Sequence, residues 1–196
     1  ATVRDQALSA GLTTISEAGL GMATGYPLAE ADTLRAINNG KVRTACITFI
    51  DESQTHDALE KPDMTNHMFC YPAIKLFADG SNQGGTGLLS EDYSAQAIAW
   101  MGQDYLDLYE KGNEDTTPEV LQTMIANKSA QGWQVMVHAN GDQAIQNVLQ
   151  AYSQYALSDQ AKDKPLVRPR IEHCSLLTDN MLAMMQQYGV SPSFLI

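Results

Sequence analysis

Two histidines and one lysine sit where side chains could do chemistry. His138 closes the apolar run Val135-Met136-Val137, and His173 closes Arg170-Ile171-Glu172. Lys75 lies inside Ala73-Ile74-Lys75-Leu76-Phe77-Ala78 and is followed by Asp79-Gly80. Such runs read as buried parallel strands, whose C-terminal ends are where α/β folds bind ligands. By strand alternation, Met136 and His138 point one way, as do Ile171 and His173. Neutral imidazole is a common ligand of divalent transition metals, and two histidines on neighbouring strands can share one ion. The plainer reading of either histidine alone is a buried, hydrogen-bonded structural side chain. Lys75 is harder to place, because a buried ammonium costs several kcal/mol unless paired or neutralised. Three outcomes stay open: an ion pair with Asp79 or Glu172, a neutral Schiff-base nucleophile, or a modified lysine able to ligate metal.

The residues around these three divide by context. Gly80–Gly87 is a glycine-rich loop after a strand, a candidate substrate loop or lid as well as a plain connector. Asp79 and Ser81 at its base, with Asp142, are the candidate substrate-binding residues. Asp142 also has the default reading of a helix cap. Glu172 alternates away from His173 and is expected to pair with a basic group behind the sheet. His56 and His67 fall in a polar stretch and are expected to face solvent. Cys174 reads as a small packed thiol.

The elements that must position these groups follow from periodicity and punctuation. A short helix over Thr2–Ala10 places Val3, Ala7, Leu8 and Ala10 on one face, stopped by Gly11. Leu12–Ile15 reads as a strand and Ser16–Gly19 as its loop. A helix over Leu28–Asn38 turns Leu34 and Ile37 inward and stops at Asn39-Gly40. Val42–Ile50 is the next strand, and residues 51–72 are a polar excursion with a little helix. The Lys75 strand runs to Asp79. A helix is expected over Ala95–Tyr109, with Ile98, Met101, Tyr105 and Leu108 on its stripe. Thr117-Pro118-Glu119 starts another, burying Leu121, Met124 and Ile125. After the His138 strand, Asp142–Ala156 carries Ile145, Val148, Leu149 and Tyr152 on one stripe. Asp159–Pro169 is a polar linker before the His173 strand. Thr178 caps a helix with Leu182, Met185 and Tyr188 inward, ended by Gly189, and Val190–Ile196 begins a last strand. Strand–helix alternation about five times over predicts an α/β fold with a parallel sheet, either doubly wound or part of a β/α barrel.

Composition narrows the partners. Lys and Arg number 12 against 23 Asp and Glu, a formal charge of −11, which disfavours nucleic acid and anionic membrane surfaces. No nucleotide-binding glycine motif follows a strand. The 3 cysteines, Cys46, Cys70 and Cys174, are widely spaced and odd in number, so a disulfide framework is not expected and a reducing cytoplasm fits. No apolar run approaches the roughly 18 residues of a membrane helix, and the first residues carry no signal-peptide pattern.

The segments GLTTISEAG, IKLFADGSNQGGTG, VMVHANGDQAI and RIEHCSLL, in this order, resemble the amidohydrolase superfamily, most closely its YtcJ-like branch, amidohydrolase family 3. The resemblance runs from about Gly11 to the end. It implies a partial TIM (β/α) barrel, about strands two to seven of eight, with residues 1–196 an internal fragment of the catalytic domain. It implies metal ligation by His138, His173 and a carboxylated Lys75, with one or two divalent ions, zinc being the expected one. It implies hydrolysis of non-peptide carbon–nitrogen bonds in a small amide-like substrate through metal-activated water. The family pattern also has an opening His-x-His pair and a closing aspartate, and neither is found here. A whole barrel takes roughly 250 residues. The isolated chain is therefore expected to be inactive and to self-associate through open strand edges. A barrel-type Schiff-base lyase using Lys75, or a non-catalytic α/β module, remain the alternatives.

Overall fold

A computed structural model describes residues 3–51, 53–102 and 111–194. Two compact units make up the chain: residues 1–76 with 131–133, and residues 77–130 with 134–196.

The first unit holds α1 (Val3–Ser9), β1 (Thr14–Leu20), α2 (Pro27–Asn38), β2 (Arg43–Phe49) and nearly all of β3 (Phe69–Phe77). β1 pairs parallel with β2, and β2 with β3. β1 is longer than its apolar residues suggest: Ser16, Glu17 and, past a bulge, Leu20 stay in register with β2, so the expected loop at Ser16–Gly19 is strand. The ladder wins because backbone pairing tolerates an exposed polar side chain on every second residue. In α2 the inward positions are Pro27, Ala31 and Asn38, whereas Ile37 is exposed and Leu34 half-buried, contrary to the stripe read from sequence. Asn38 displaces them because its amide closes the turn into β2, accepting from Val42 N (3.1 Å) and donating to Thr44 Oγ1 (2.7 Å). Asn39 then ends the helix in the left-handed region, as read from Asn39-Gly40. On α1 only Ala7 is buried, and Val3 and Leu8 are exposed. The excursion contains no helix among its described residues, and Phe69–Pro72 already belong to β3. Its Asp57 carboxylate accepts from Leu28 N (3.0 Å) and Ala29 N (3.2 Å), capping α2 from outside its own sequence.

The second unit holds the end of β3, a 3₁₀ turn at Asn82–Gly84, α3 (Ala95–Met101), α4 (Pro118–Ala130), β4 (Gln134–Ala139), α5 (Asp142–Ala156), α6 (Gln160–Asp163), β5 (Arg170–His173), α7 (Asp179–Tyr188) and β6 (Ser191–Phe194). β4 pairs parallel with β5, and β5 with β6. The α5 stripe is as expected: Ile145, Val148, Leu149 and Tyr152 are fully buried. The Tyr152 hydroxyl lies 2.8 Å from Val135 O and 3.1 Å from Arg170 O, pinning the helix to both strands. Leu121, Met124 and Ile125 are buried on α4, and Thr178 caps α7 by accepting from Met181 N. On α7 the buried residues are Met181 and Met185, while Leu182 is exposed. The linker before β5 contains α6. The continuation of α3 towards Tyr109, with Tyr105 and Leu108, lies outside the described residues.

Strand order in the sheet is β1-β2-β3-β4-β5-β6, the same as sequence order. A doubly wound sheet reverses its order at a switch point, whereas a β/α barrel adds each strand beside the last. The fold class is therefore α/β of the partial-barrel kind, with parallel strands and flanking helices.

Candidate metal centre at the ends of β4 and β5

β4 is held by buried Val135, Met136 and Val137, and delivers His138 to its C-terminal end. The register runs Val137↔Ile171, His138↔Glu172 and Ala139↔His173. Residues level across a parallel ladder share a face, so His138 is on the face of Glu172 and not, by alternation, on that of His173. This corrects the parity read from sequence. What brings the second imidazole round is backbone conformation. His173 (φ 76) and Cys174 (φ 50) both lie in the left-handed region, at about 1–2 kcal/mol each. Cys174 N to Ala139 O (3.1 Å) and Leu176 N to Asn140 O (3.2 Å) hold the chain in that turn. Strained, non-glycine backbone of this kind gathers at functional sites.

The turn sets the His138 and His173 rings edge to face, centroids 4.5 Å apart and planes at 68°. Phe77 stacks on His138 at 4.7 Å. His138 Nε2 is 2.6 Å from Gly80 O, and Asn140 Nδ2 is 2.8 Å from the same carbonyl. A nitrogen lone pair would repel a carbonyl at 2.6 Å, so Nε2 carries a proton, and in the neutral ring the lone pair then falls on Nδ1. Asn140 Nδ2, 3.1 Å from Nε2, is then a second donor to one shared acceptor.

Asp79 sits under this group, fully buried. Its carboxylate accepts from Gly141 N (2.8 Å), Leu88 N (2.9 Å) and Asn140 N (3.0 Å), and Oδ1 is 3.6 Å from His138 Nε2. Burial pushes its pKa up to about 6, and the three amide hydrogen bonds offset only part of that rise. Ser81 caps the 3₁₀ turn, its Oγ accepting from Gly84 N (3.1 Å). Thr86 ties the loop shut, with its N donating to Ser81 O (2.9 Å) and its O accepting from Gly80 N (3.0 Å). Asp142 is one place further on than a cap: Gly141 is the N-cap of α5, and Asp142 is the first helical residue. Its carboxylate accepts from Ser90 N (3.0 Å) and from the Ser90 hydroxyl. Burial pushes the Asp142 carboxyl up, but the bonds from Ser90 outweigh it and leave the group below the ordinary range. A Cβ at Gly141 would meet Leu88 O at 1.9 Å, so the loop rests directly on that glycine.

Of the expected site residues, His138, His173 and Asp79 come together; Ser81 and Asp142 stand on the loop and helix beside them. Lys75 is buried in β3, level with Phe49, and belongs to the first unit. Glu172 pairs with Arg170 (2.9 Å) on its own strand, and by the register this pair lies on the face of His138 and not behind the sheet as expected; its Oε1 is buried without a hydrogen bond among the described residues. His56 and His67 are exposed and Cys174 is buried, as expected. Among the described residues no three or more His, Cys, Asp or Glu converge as a metal cage. Phe77, Asn140, Ser90 and Ser175 were missed in the sequence. Only Asn140 carried a local signal, two residues beyond His138.

Parallel strands in barrel order, with imidazoles at adjacent C-terminal ends, define a β/α-barrel protein with a candidate metal centre. The chain belongs to the amidohydrolase family, whose sequence profile matches residues 2–196. No curated protein matches it. Similar solved structures include uncharacterized metal-dependent hydrolases from Pyrococcus furiosus and Pyrococcus horikoshii OT3. Each is 21% identical over 97% of this chain, covering 36% and 35% of those chains, with TM-scores of 0.70 and 0.71. Ochratoxinase from A. niger is 14% identical over 95% of this chain and 42% of its own, with a TM-score of 0.51. At these identities the likeness is one of fold, and the chain spans about a third of the Pyrococcus proteins. No described helix is long and apolar enough to cross a membrane.

Proposed function

We propose that this chain carries part of the active centre of a metal-dependent hydrolase of the YtcJ-like branch, acting on amide-like carbon–nitrogen bonds other than peptide bonds. The observation that carries the reading is the edge-to-face pair of His138 and His173. The donor chemistry fits a divalent ion. Two imidazoles from adjacent strands suit zinc, and the far nitrogen of His138 is clamped by a backbone carbonyl, as in many metal-binding histidines. His138 and His173 would hold the ion; carboxylation of Lys75, which the family resemblance implies, would turn a buried cation into an oxygen donor. A divalent ion bound there supplies Lewis-acid activation of water and of the scissile carbonyl.

This chain's own groups orient and shield. Gly80 O fixes the His138 ring and Phe77 covers one of its faces. Asp79, fully enclosed, acts on substrate through the loops it holds. Ser81 keeps a hydroxyl proton to donate, and Asp142 keeps carboxylate lone pairs beyond those used by Ser90, so these two are assigned to a polar substrate. A cytoplasmic setting belongs to the same reading, in keeping with free Cys46, Cys70 and Cys174.

A His-x-His pair is not among these residues, so the 196-residue chain alone is expected to bind zinc and turn over no N-acyl amino acid. Calorimetric titration with zinc of the chain and of His138→Ala and His173→Ala tests this: each substitution should weaken binding at least tenfold. Unchanged zinc affinity in both variants removes the metal reading, turnover by the wild-type chain removes the prediction of inactivity, and borohydride trapping of a carbonyl compound on Lys75 favours a Schiff-base lyase.

A further inference from the structure

We propose that Asn140 is a positioning residue for His138, acting through the Gly80 carbonyl that both side chains share and oriented in turn by Ser175. Asn140 is buried, and its backbone is already satisfied: its N–H donates to Asp79 and its carbonyl accepts from Leu176 N. The side chain is therefore not needed for the local turn. It spans instead from Gly80 O, 2.8 Å from Nδ2, to Ser175 Oγ, 2.6 Å from Oδ1. The amide has one orientation that works. Reversed, it would set Oδ1 against the Gly80 oxygen, two acceptors facing each other at hydrogen-bond distance.

The consequence falls on the imidazole. Gly80 O receives two donors, His138 Nε2–H at 2.6 Å and Asn140 Nδ2–H. With Asn140 in place the carbonyl cannot swing away, and the His138 ring cannot turn over without losing its short bond. The clamp thus keeps the proton on Nε2 and the lone pair on Nδ1. It also joins three loops at one point, those after β3 (Gly80), β4 (Asn140) and β5 (Ser175). The consequence for metal binding rests on the proposed function above; the orientation of the ring does not.

The test uses nitrogen-15 spectra of the imidazoles in the metal-free chain at mildly alkaline pH, followed by calorimetric titration with zinc chloride. In the wild type His138 is expected to be protonated on Nε2, with that proton slow to exchange. In Asn140→Ala and in Ser175→Ala, exchange of the Nε2 proton should rise about tenfold or more, and zinc affinity should fall about tenfold, the usual effect of losing an outer hydrogen-bond partner. A wild-type ring protonated on Nδ1 overturns the proposal, as does wild-type Nε2 proton exchange in both variants alongside a mere drop in melting temperature. Should Asn140→Ala fail to fold, Ser175→Ala decides alone, since it removes one exposed hydroxyl. Should zinc not bind the wild type, the metal reading falls while the ring spectra still decide the clamp.

Discussion

At the scale of single residues, the site depends on backbone that side-chain type does not announce. His173 and Cys174 adopt positive φ without being glycine, and that is how an imidazole on the wrong parity reaches His138. Gly141 matters for the opposite reason: its φ is ordinary, but Leu88 O occupies the place of its Cβ. Gly141→Ala should therefore force the Gly80–Ser90 loop off the start of α5 and destabilise the chain by about 1–3 kcal/mol, as overpacking does. Urea denaturation measures this, and a wild-type midpoint would show that the loop gives way without cost.

At the scale of elements, the loop after β3 is a fastened cap more than a swinging lid. Asp79 receives three backbone amides from two separate segments, and Ala144 N at the start of α5 points to Leu88 O. Asp79→Asn keeps the shape but converts one acceptor oxygen into a donor opposite amide N–H groups. Losing those bonds should cost about 1–3 kcal/mol, seen as faster amide exchange at Leu88 and Gly141 with the α4 core unchanged. Equal exchange rates at both amides would refute the fastening role. β2 makes a separate claim. Burial, with Cys70 and Glu17 adding to it, raises the Cys46 thiol pKa to about 12 from its ordinary 9.0. The unfolded chain therefore loses this proton first as pH rises, so its contribution to stability is present below about pH 9 and declines towards pH 12. Denaturation midpoints of wild type and Cys46→Ala across that window should converge as pH rises; a constant gap would contradict it.

At the scale of the whole molecule, β1 and β6 each have one paired neighbour among the described residues and are the edge strands of that sheet. Open edges of parallel strands recruit further strands, so the purified chain is expected to self-associate. Sedimentation velocity checks this over a concentration series, and a single monomeric species throughout would exclude it.

Much of this was legible in the order of residues. Periodicity gave the buried faces of α4 and α5, and Thr117-Pro118 and Thr178 gave helix starts, because these are local signals carried by a turn or two of chain. The apolar run ending in His138 and the shorter Arg170-Ile171-Glu172 run ending in His173 marked the strand ends and the chemistry to look for. Asn38 in place of Ile37, Asp57 capping α2 and the edge strand through Ser16–Leu20 were not legible, since each is decided by a partner from a distant segment. The same holds at the site. Sequence alone named two imidazoles on consecutive strands. Only tertiary structure fixed the register that set His138 beside Glu172, the left-handed turn that recovered His173, and the shared carbonyl that orients the ring. Register and backbone handedness are settled by pairing between strands far apart in the chain, and no spacing within one strand encodes them.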